Sequence, residues 1–357
     1  MSDSIKGRGA AIQPNNRYLS VHFESDLEHV AEDEEYLAEL GRPPTEYMLD
    51  ESESIVAEND SPDIGFRYSV NPYRGCSHGC SYCYARPGHE YLGLSAGVDF
   101  ETKILVKLRA AELFREFLAR SAWQPETIAF SGVTDCYQPA ERQFKITRAC
   151  IEVAAECCQP IGIITKNALV CRDIDLLSRL AAHNAVRVSL SITTLDAKLG
   201  RVMEPRTSSP EARLRAIRIL SKAGIPTNVM TAPIIPGLND SEIPTLLAAA
   251  REAGAGWAGY VLLKLPTTVK PVFLDWLERN YPDRSPRVQA LIRSTRGGRL
   301  SDSQFGRRQV GTGHFAELIA DTFELWRKKL GYTDDHSQLN REAFRPPKQT
   351  HGQLRLF

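Results

Sequence analysis

From Tyr68 onward, short apolar runs alternate with longer amphipathic stretches, and this alternation narrows the fold more than any other feature of the chain. The runs are Ile128–Phe130, Ile161–Ile164, Val186–Ile192, Asn228–Met230 and Tyr260–Leu263. Amphipathic stretches lie around them at Val106–Ser121, Thr147–Cys158, Asp173–His183, Glu211–Ala223, Glu242–Ala253 and Val269–Tyr281. Gly224, followed closely by Pro226, is a sound stop for the fourth of these helices. Strands separated by helices pair in parallel, because each helix returns the chain to the end where the next strand starts. The class is therefore α/β. The pattern alone leaves open whether the sheet curls into a partial barrel or lies open and doubly wound.

The 357 residues exceed what such a unit needs. Residues 1–65 read as an N-terminal extension, with Gly7–Arg17 a mobile arm or a strap and the acidic, Ser-rich Leu49–Ser61 a loop. The α/β unit spans 66–282. A basic loop and a helix fill 283–332, where Phe315, Leu318, Ile319, Phe323, Trp326 and Leu330 recur at helical spacing. Residues 333–357 are a polar, flexible tail. No run of 18 apolar residues exists and the first residues lack a secretory pattern, so the expected location is the cytoplasm, with no membrane contact. Eight cysteines in a chain of this length suit a reducing compartment rather than a disulfide framework.

Three of those cysteines, Cys76, Cys80 and Cys83, fall in one short run at C-x₃-C-x₂-C spacing. Thiolates ligate iron–sulfur clusters, and a four-iron cluster needs one ligand per iron. Three cysteines leave one iron for something other than protein. The competing reading is a structural zinc site, completed by Cys136, Cys150, Cys157, Cys158 or Cys171. Zinc prefers paired knuckles, and none of these cysteines supplies a second one.

With Tyr82 just before the third cysteine, the run Asn71–Arg86 resembles the radical S-adenosylmethionine (SAM) superfamily. The Thr134-Asp-Cys-Tyr-Gln-Pro139 run and Ala232–Asp240 resemble its spore photoproduct lyase-like branch. The resemblance covers about Tyr68 to Leu265. It implies a partial (β/α)6, TIM-like barrel whose first of six strands starts near Tyr68. It implies a [4Fe–4S] cluster on Cys76, Cys80 and Cys83, with SAM chelating the open iron and cleaved to a 5′-deoxyadenosyl radical. It also implies an external electron donor such as flavodoxin or ferredoxin. Carried over residue by residue, it makes Tyr82, Thr134, Asp135, Lys166, Ser191 and Arg206 the SAM-binding candidates. Thr134 and Asp135 would take the amino group and Lys166 the carboxylate. Glu204 is expected either to contact SAM or to pair with Arg206. Tyr84 matches a tyrosine on the branch's radical path. Cys136 is the candidate hydrogen donor, although it follows the Thr-Asp pair where the branch has its cysteine before it. A nucleic-acid substrate, in lesion repair or modification, is the expected use of that chemistry.

Two further segments bear on partners. Ser294–Arg308 is rich in glycine and arginine and is placed to cover the barrel mouth, where arginines fork onto phosphate oxygens or remain solvated. The chain ends Gln353-Leu-Arg-Leu-Phe357. This run resembles the pentapeptide by which bacterial DNA-maintenance proteins dock on the β sliding clamp. Leu354, Leu356 and Phe357 would fill apolar pockets while Gln353 fixes orientation.

Overall fold

The computed structural model describes residues 7–14, 18, 44–334 and 338–347. Ten strands are described: β1 (Glu46–Leu49), β2 (Val56–Glu58), β3 (Tyr68–Val70), β4 (Tyr73–Arg74), β5 (Lys103–Val106), β6 (Ile128–Phe130), β7 (Ile161–Thr165), β8 (Val186–Ser191), β9 (Thr227–Ile234) and β10 (Trp257–Leu262). The larger helices are α1 (Ala110–Leu118), α2 (Ile146–Cys157), α3 (Ile174–Ala181), α4 (Pro210–Lys222), α5 (Ile243–Ala253), α6 (Val269–Asn280), α7 (Ser285–Ser294) and α8 (His314–Lys329).

The main sheet runs β2-β3-β6-β7-β8-β9-β10. β3 through β10 pair in parallel, while β2 joins β3 antiparallel. A doubly wound sheet reverses its strand order at a switch point, and this order never reverses. Crossovers of one hand with no reversal keep the helices on one face, so the sheet curls with its other face inward. That settles the open alternative in favour of the partial barrel. On the helix side, Ile161, Ile163, Val186, Val188, Leu190 and Val229 are buried in one core with α2, α3, α4 and α5. The inner face differs: Gly162 and Met230 are half-buried, Ser189 and Asn228 are polar, and Ile164 is 37% exposed. The inner face is more polar and more open than the helix side.

Local signals explain the helix boundaries. Ser209 accepts a hydrogen bond from the Ala212 amide and Pro210 starts α4, while Gly224 at φ 75° ends it. A second small sheet, β1-β5-β4, packs at the start of the barrel.

Several segments differ from the sequence reading. Val56–Glu58 is a strand within the stretch read as loop; its side chains are half-buried to exposed, and beside its backbone pairing with β3, Val56 packs on the core and Glu58 accepts from Arg67. Gly7–Ile12 is a strap rather than a mobile arm, with Gly9, Ala10 and Ala11 buried. α1 begins at Ala110 because Lys103–Val106 is consumed by β5. In the expected flexible tail, Leu339 is buried. The Asn340 and Arg345 amides there donate to the Asn184 and Cys157 carbonyls. The arginine-rich stretch contains α7, and Arg296 folds inward onto the carbonyls of Leu262, Leu263, Arg307 and Arg308. No described helix is long and apolar enough to cross a membrane.

Candidate functional site

The cysteine loop lies between β4 and a 3₁₀ turn at Arg86–Leu92. Successive tight turns shape it: the Gly79 amide donates to the Cys76 carbonyl, Cys83 to Cys80, and Arg86 to Cys83. Gly79 sits at φ 68°, and a Cβ there would lie 2.7 Å from Arg8 Cβ, so the loop and the strap require glycine at this crossing. The Cys76 amide donates to the Phe100 carbonyl.

A fully buried arginine fixes the middle of the loop. Arg86 donates from Nε and Nη2 to the Cys80 carbonyl and from Nη1 to the carbonyls of Ala96 and Gly97. Its Nη2 also meets Glu101 Oε1 at 2.5 Å. Glu101 accepts in turn from the amides of Arg8, Gly9 and Ala10. One buried ion pair therefore joins the cysteine loop to the N-terminal strap.

The run after β6 holds the loop from the other side. Gln138 Oε1 accepts from the Ser77 amide, and its Nε2 donates to the Gly75 carbonyl and to Thr134 Oγ1. Thr134 donates its hydroxyl to the same Gly75 carbonyl at 2.6 Å. Asp135 accepts from Thr165 Oγ1, the Lys166 amide and the Tyr137 amide, and its Oδ2 lies 3.4 Å from His78 Nδ1. Burial opposes ionisation of Asp135, but the His78 imidazolium and these donors hold its carboxyl at about 2. Burial likewise works against a charged His78, yet Asp135 and Cys76 raise it to about 9. In this structure Thr134 and Asp135 thus spend their polar atoms on the loop and on β7.

Across the mouth, Tyr82, Lys166 and Ser191 come together as a set. Lys166 Nζ donates to Ser191 Oγ at 2.7 Å and to the Ala232 carbonyl at 3.2 Å, and lies 5.8 Å from the Tyr82 ring centre. The Tyr82 hydroxyl donates to Glu204, which also accepts from Thr193 and is paired with the buried Arg213. Burial would raise the Glu204 carboxyl, but Arg213, Lys166 and the two hydroxyls hold it at about 2. Glu204 pairs with Arg213 rather than with Arg206. Arg206 is exposed and turns away, donating to Thr45 Oγ1 while its amide meets the His78 carbonyl.

The three thiols influence one another electrostatically. Cys80 is pushed well above the ordinary thiol range by burial, then by Glu204, with Cys83 and Cys76 adding to the rise. Cys83 is raised to about 11 by burial and by Cys76. Burial acts the same way on Cys76, but the charge and hydrogen bond of His78 bring it below the usual value. Two buried thiols and a half-buried third are a poor place for bare anions, and metal coordination is what drives such protons off. The fit to a cluster is supported by Ser81, which stands between Cys80 and Cys83 in the sequence and whose buried hydroxyl has no partner among the described residues. Among the described residues, no three His, Cys, Asp or Glu side chains converge to hold a single ion. A zinc tetrahedron needs that convergence, whereas a four-iron cluster takes each thiolate on a different iron.

Two candidates sit apart from this set. Cys136 is fully buried, its sulfur against the Phe130 carbonyl and the Ser131 hydroxyl, in one core cluster with Tyr137, Ile146 and Cys150. Its charged neighbours are Asp135 and Glu141, not the loop thiols. Tyr84 is half-exposed at the mouth, with its hydroxyl donating to the Gly132 carbonyl at 2.7 Å. Gln353, Leu354, Leu356 and Phe357 lie outside the described residues. The sequence reading missed the structural roles of His78, Gln138, Arg86, Glu101 and Arg213. His78, Arg86 and Gln138 stood in quoted motifs, but none of the five showed its role locally, since their partners are supplied by the fold.

The Radical SAM superfamily profile matches residues 70–250, and the chain belongs to that superfamily of enzymes. The uncharacterized protein Rv2578c of Mycobacterium tuberculosis is 39% identical over 259 residues, covering 72% of this chain and 75% of that one. A Radical SAM Nalpha-GlyT isomerase of Pseudomonas phage M6 is 24% identical over 268 residues, 74% of this chain and 52% of the isomerase. Among solved structures, a spore photoproduct lyase variant with bound AdoMet and dinucleoside spore photoproduct superposes with a TM-score of 0.57. It covers 80% of this chain and 78% of the lyase at 18% identity, a likeness of fold.

Proposed function

We propose that this enzyme holds a [4Fe–4S] cluster on Cys76, Cys80 and Cys83, cleaves SAM reductively, and acts on nucleic acid in lesion repair or base modification. The observation that carries the reading is the placement of three mutually coupled thiols opposite Lys166, Ser191 and Tyr82 at one barrel mouth. When bound, the cluster supplies the electron, drawn from a flavodoxin or ferredoxin, that splits SAM into methionine and a 5′-deoxyadenosyl radical. Lys166 is the one cation of the set free to turn from neutral partners toward a carboxylate; Arg213 is already committed to Glu204. Tyr82 walls the pocket, and the open inner face leaves room for a second ligand beside SAM. A nucleic-acid substrate is favoured by the dinucleoside lesion held in a lyase of the same fold.

Anaerobically reconstituted protein with dithionite and SAM should yield 5′-deoxyadenosine, with turnover raised by lesion-bearing DNA or RNA. Lys166→Met should raise KM for SAM by about 10- to 100-fold, the cost of one charged hydrogen bond. An unchanged KM would remove Lys166 from the SAM site, and an absence of 5′-deoxyadenosine from the wild type would end the reading.

The C-terminal pentapeptide gives the same reading a route to replicating DNA. A peptide of residues 345–357 should bind a purified bacterial β clamp with a Kd on the order of micromolar. Replacing Leu356 and Phe357 by alanine should abolish that binding, and a clamp indifferent to the unaltered peptide would refute it.

A further inference from the structure

Lys264 lies just beyond the C-terminal end of β10, on the rim where the site is built. It is half-buried, and among the described residues it makes no hydrogen bond or ion pair. Its Nζ lies 4.8 Å from the centre of the Tyr84 ring. An ammonium drawn from water normally finds a carboxylate. Among the described residues the carboxylate that acts on it, Asp63, is gripped by Arg308 through both oxygens, at 2.8 Å and 2.5 Å. Burial first, then the charge of Arg308, brings the ammonium down to about 8, with Asp63 acting against the fall and Arg296 adding to it.

The surroundings are also specific. Tyr84 follows the cluster cysteine Cys83, and its hydroxyl bond to Gly132 fixes its ring as a wall. Val133 next to it is 49% exposed. Phe305 is 53% exposed and carries Arg308 over its ring at 4.6 Å. Cations alternating with exposed flat apolar faces suit a chain of phosphates and bases.

Resting on the nucleic-acid reading, we infer that Lys264 binds a backbone phosphate of the substrate strand and seats the adjoining nucleoside against Tyr84. The cation–π contact keeps the amine in place until a phosphate takes it.

The test is equilibrium binding of end-labelled, mixed-sequence single-stranded oligodeoxynucleotide and oligoribonucleotide to the reconstituted protein across a salt series. Lys264→Met should weaken binding about tenfold at 0.1 M salt and lower the salt slope by about one, as expected for one lost phosphate contact. Lys264→Arg should restore both. Lys222→Met, on exposed α4, should change neither. The deoxy and ribo arms show which strand is preferred. If the wild type binds neither strand, the nucleic-acid reading falls and this inference with it. If it binds and Lys264→Met retains affinity and slope, only the assignment of Lys264 falls. A variant that changes KM for SAM alone would place the amine on SAM and overturn the inference equally.

Discussion

Replacing any one of Cys76, Cys80 or Cys83 by alanine is expected to abolish the brown absorbance of anaerobically reconstituted protein and reduce 5′-deoxyadenosine formation to the protein-free background. Each thiolate takes a different iron, so two remaining cysteines cannot hold the cluster in place of three. The effect should fall on the cofactor rather than on the fold. The loop is built from backbone turns, Arg86 and Gln138, none of which needs the sulfur atoms. Far-UV circular dichroism and the denaturation midpoint of the apo-variants should therefore match the wild type. Cys150→Ala is the control, since that thiol is buried in α2 far from the loop motif and should leave both absorbance and product intact. A Cys80→Ala variant that still binds a full cluster and cleaves SAM would overturn the ligand assignment.

What could be read before folding divides along physical lines. The barrel strands β6 to β10 announced themselves because burial on the helix side demands apolar residues at Ile161, Val186 or Val229 whatever the function. β2 did not, because Val56–Glu58 is three residues long and half-buried to exposed, and so leaves no apolar pattern. A strap could not be told from a mobile arm for a related reason: its amides meet a carboxylate 91 to 93 residues away. The cysteine spacing marked Cys76, Cys80 and Cys83 as candidate ligands because all three lie within eight residues. Thr134 and Asp135 show the opposite case. Residue type marked them as polar groups at a strand end, but only the fold shows them bonded to Gly75, Thr165 and Lys166. Arg296 shows it again. A guanidinium that grips backbone carbonyls is indistinguishable in sequence from one that grips phosphate.

Glu101 is where that long-range architecture can be broken with a single atom exchange. Glu101→Gln keeps the shape of the side chain, yet leaves the fully buried Arg86 without a counter-charge and puts an NH₂ group where one oxygen accepted. An amide presents one acceptor oxygen to a set of four donors: Arg86 Nη2 and the amides of Arg8, Gly9 and Ala10. Breaking one side of a buried pair costs about 3–5 kcal/mol, because the remaining charge is stranded. The urea midpoint of the apo-protein should fall accordingly, with the slope of the transition preserved if unfolding stays cooperative. The strap should loosen first, so amide exchange at Gly9 and Ala10 should accelerate before the barrel strands respond. Arg86 also holds the Cys80 carbonyl, so the reconstituted variant should lose iron to a chelator faster than the wild type does. A variant with unchanged midpoint and unchanged iron loss would show that the loop is held without this ion pair, and that the strap is an appendage rather than a part of the site.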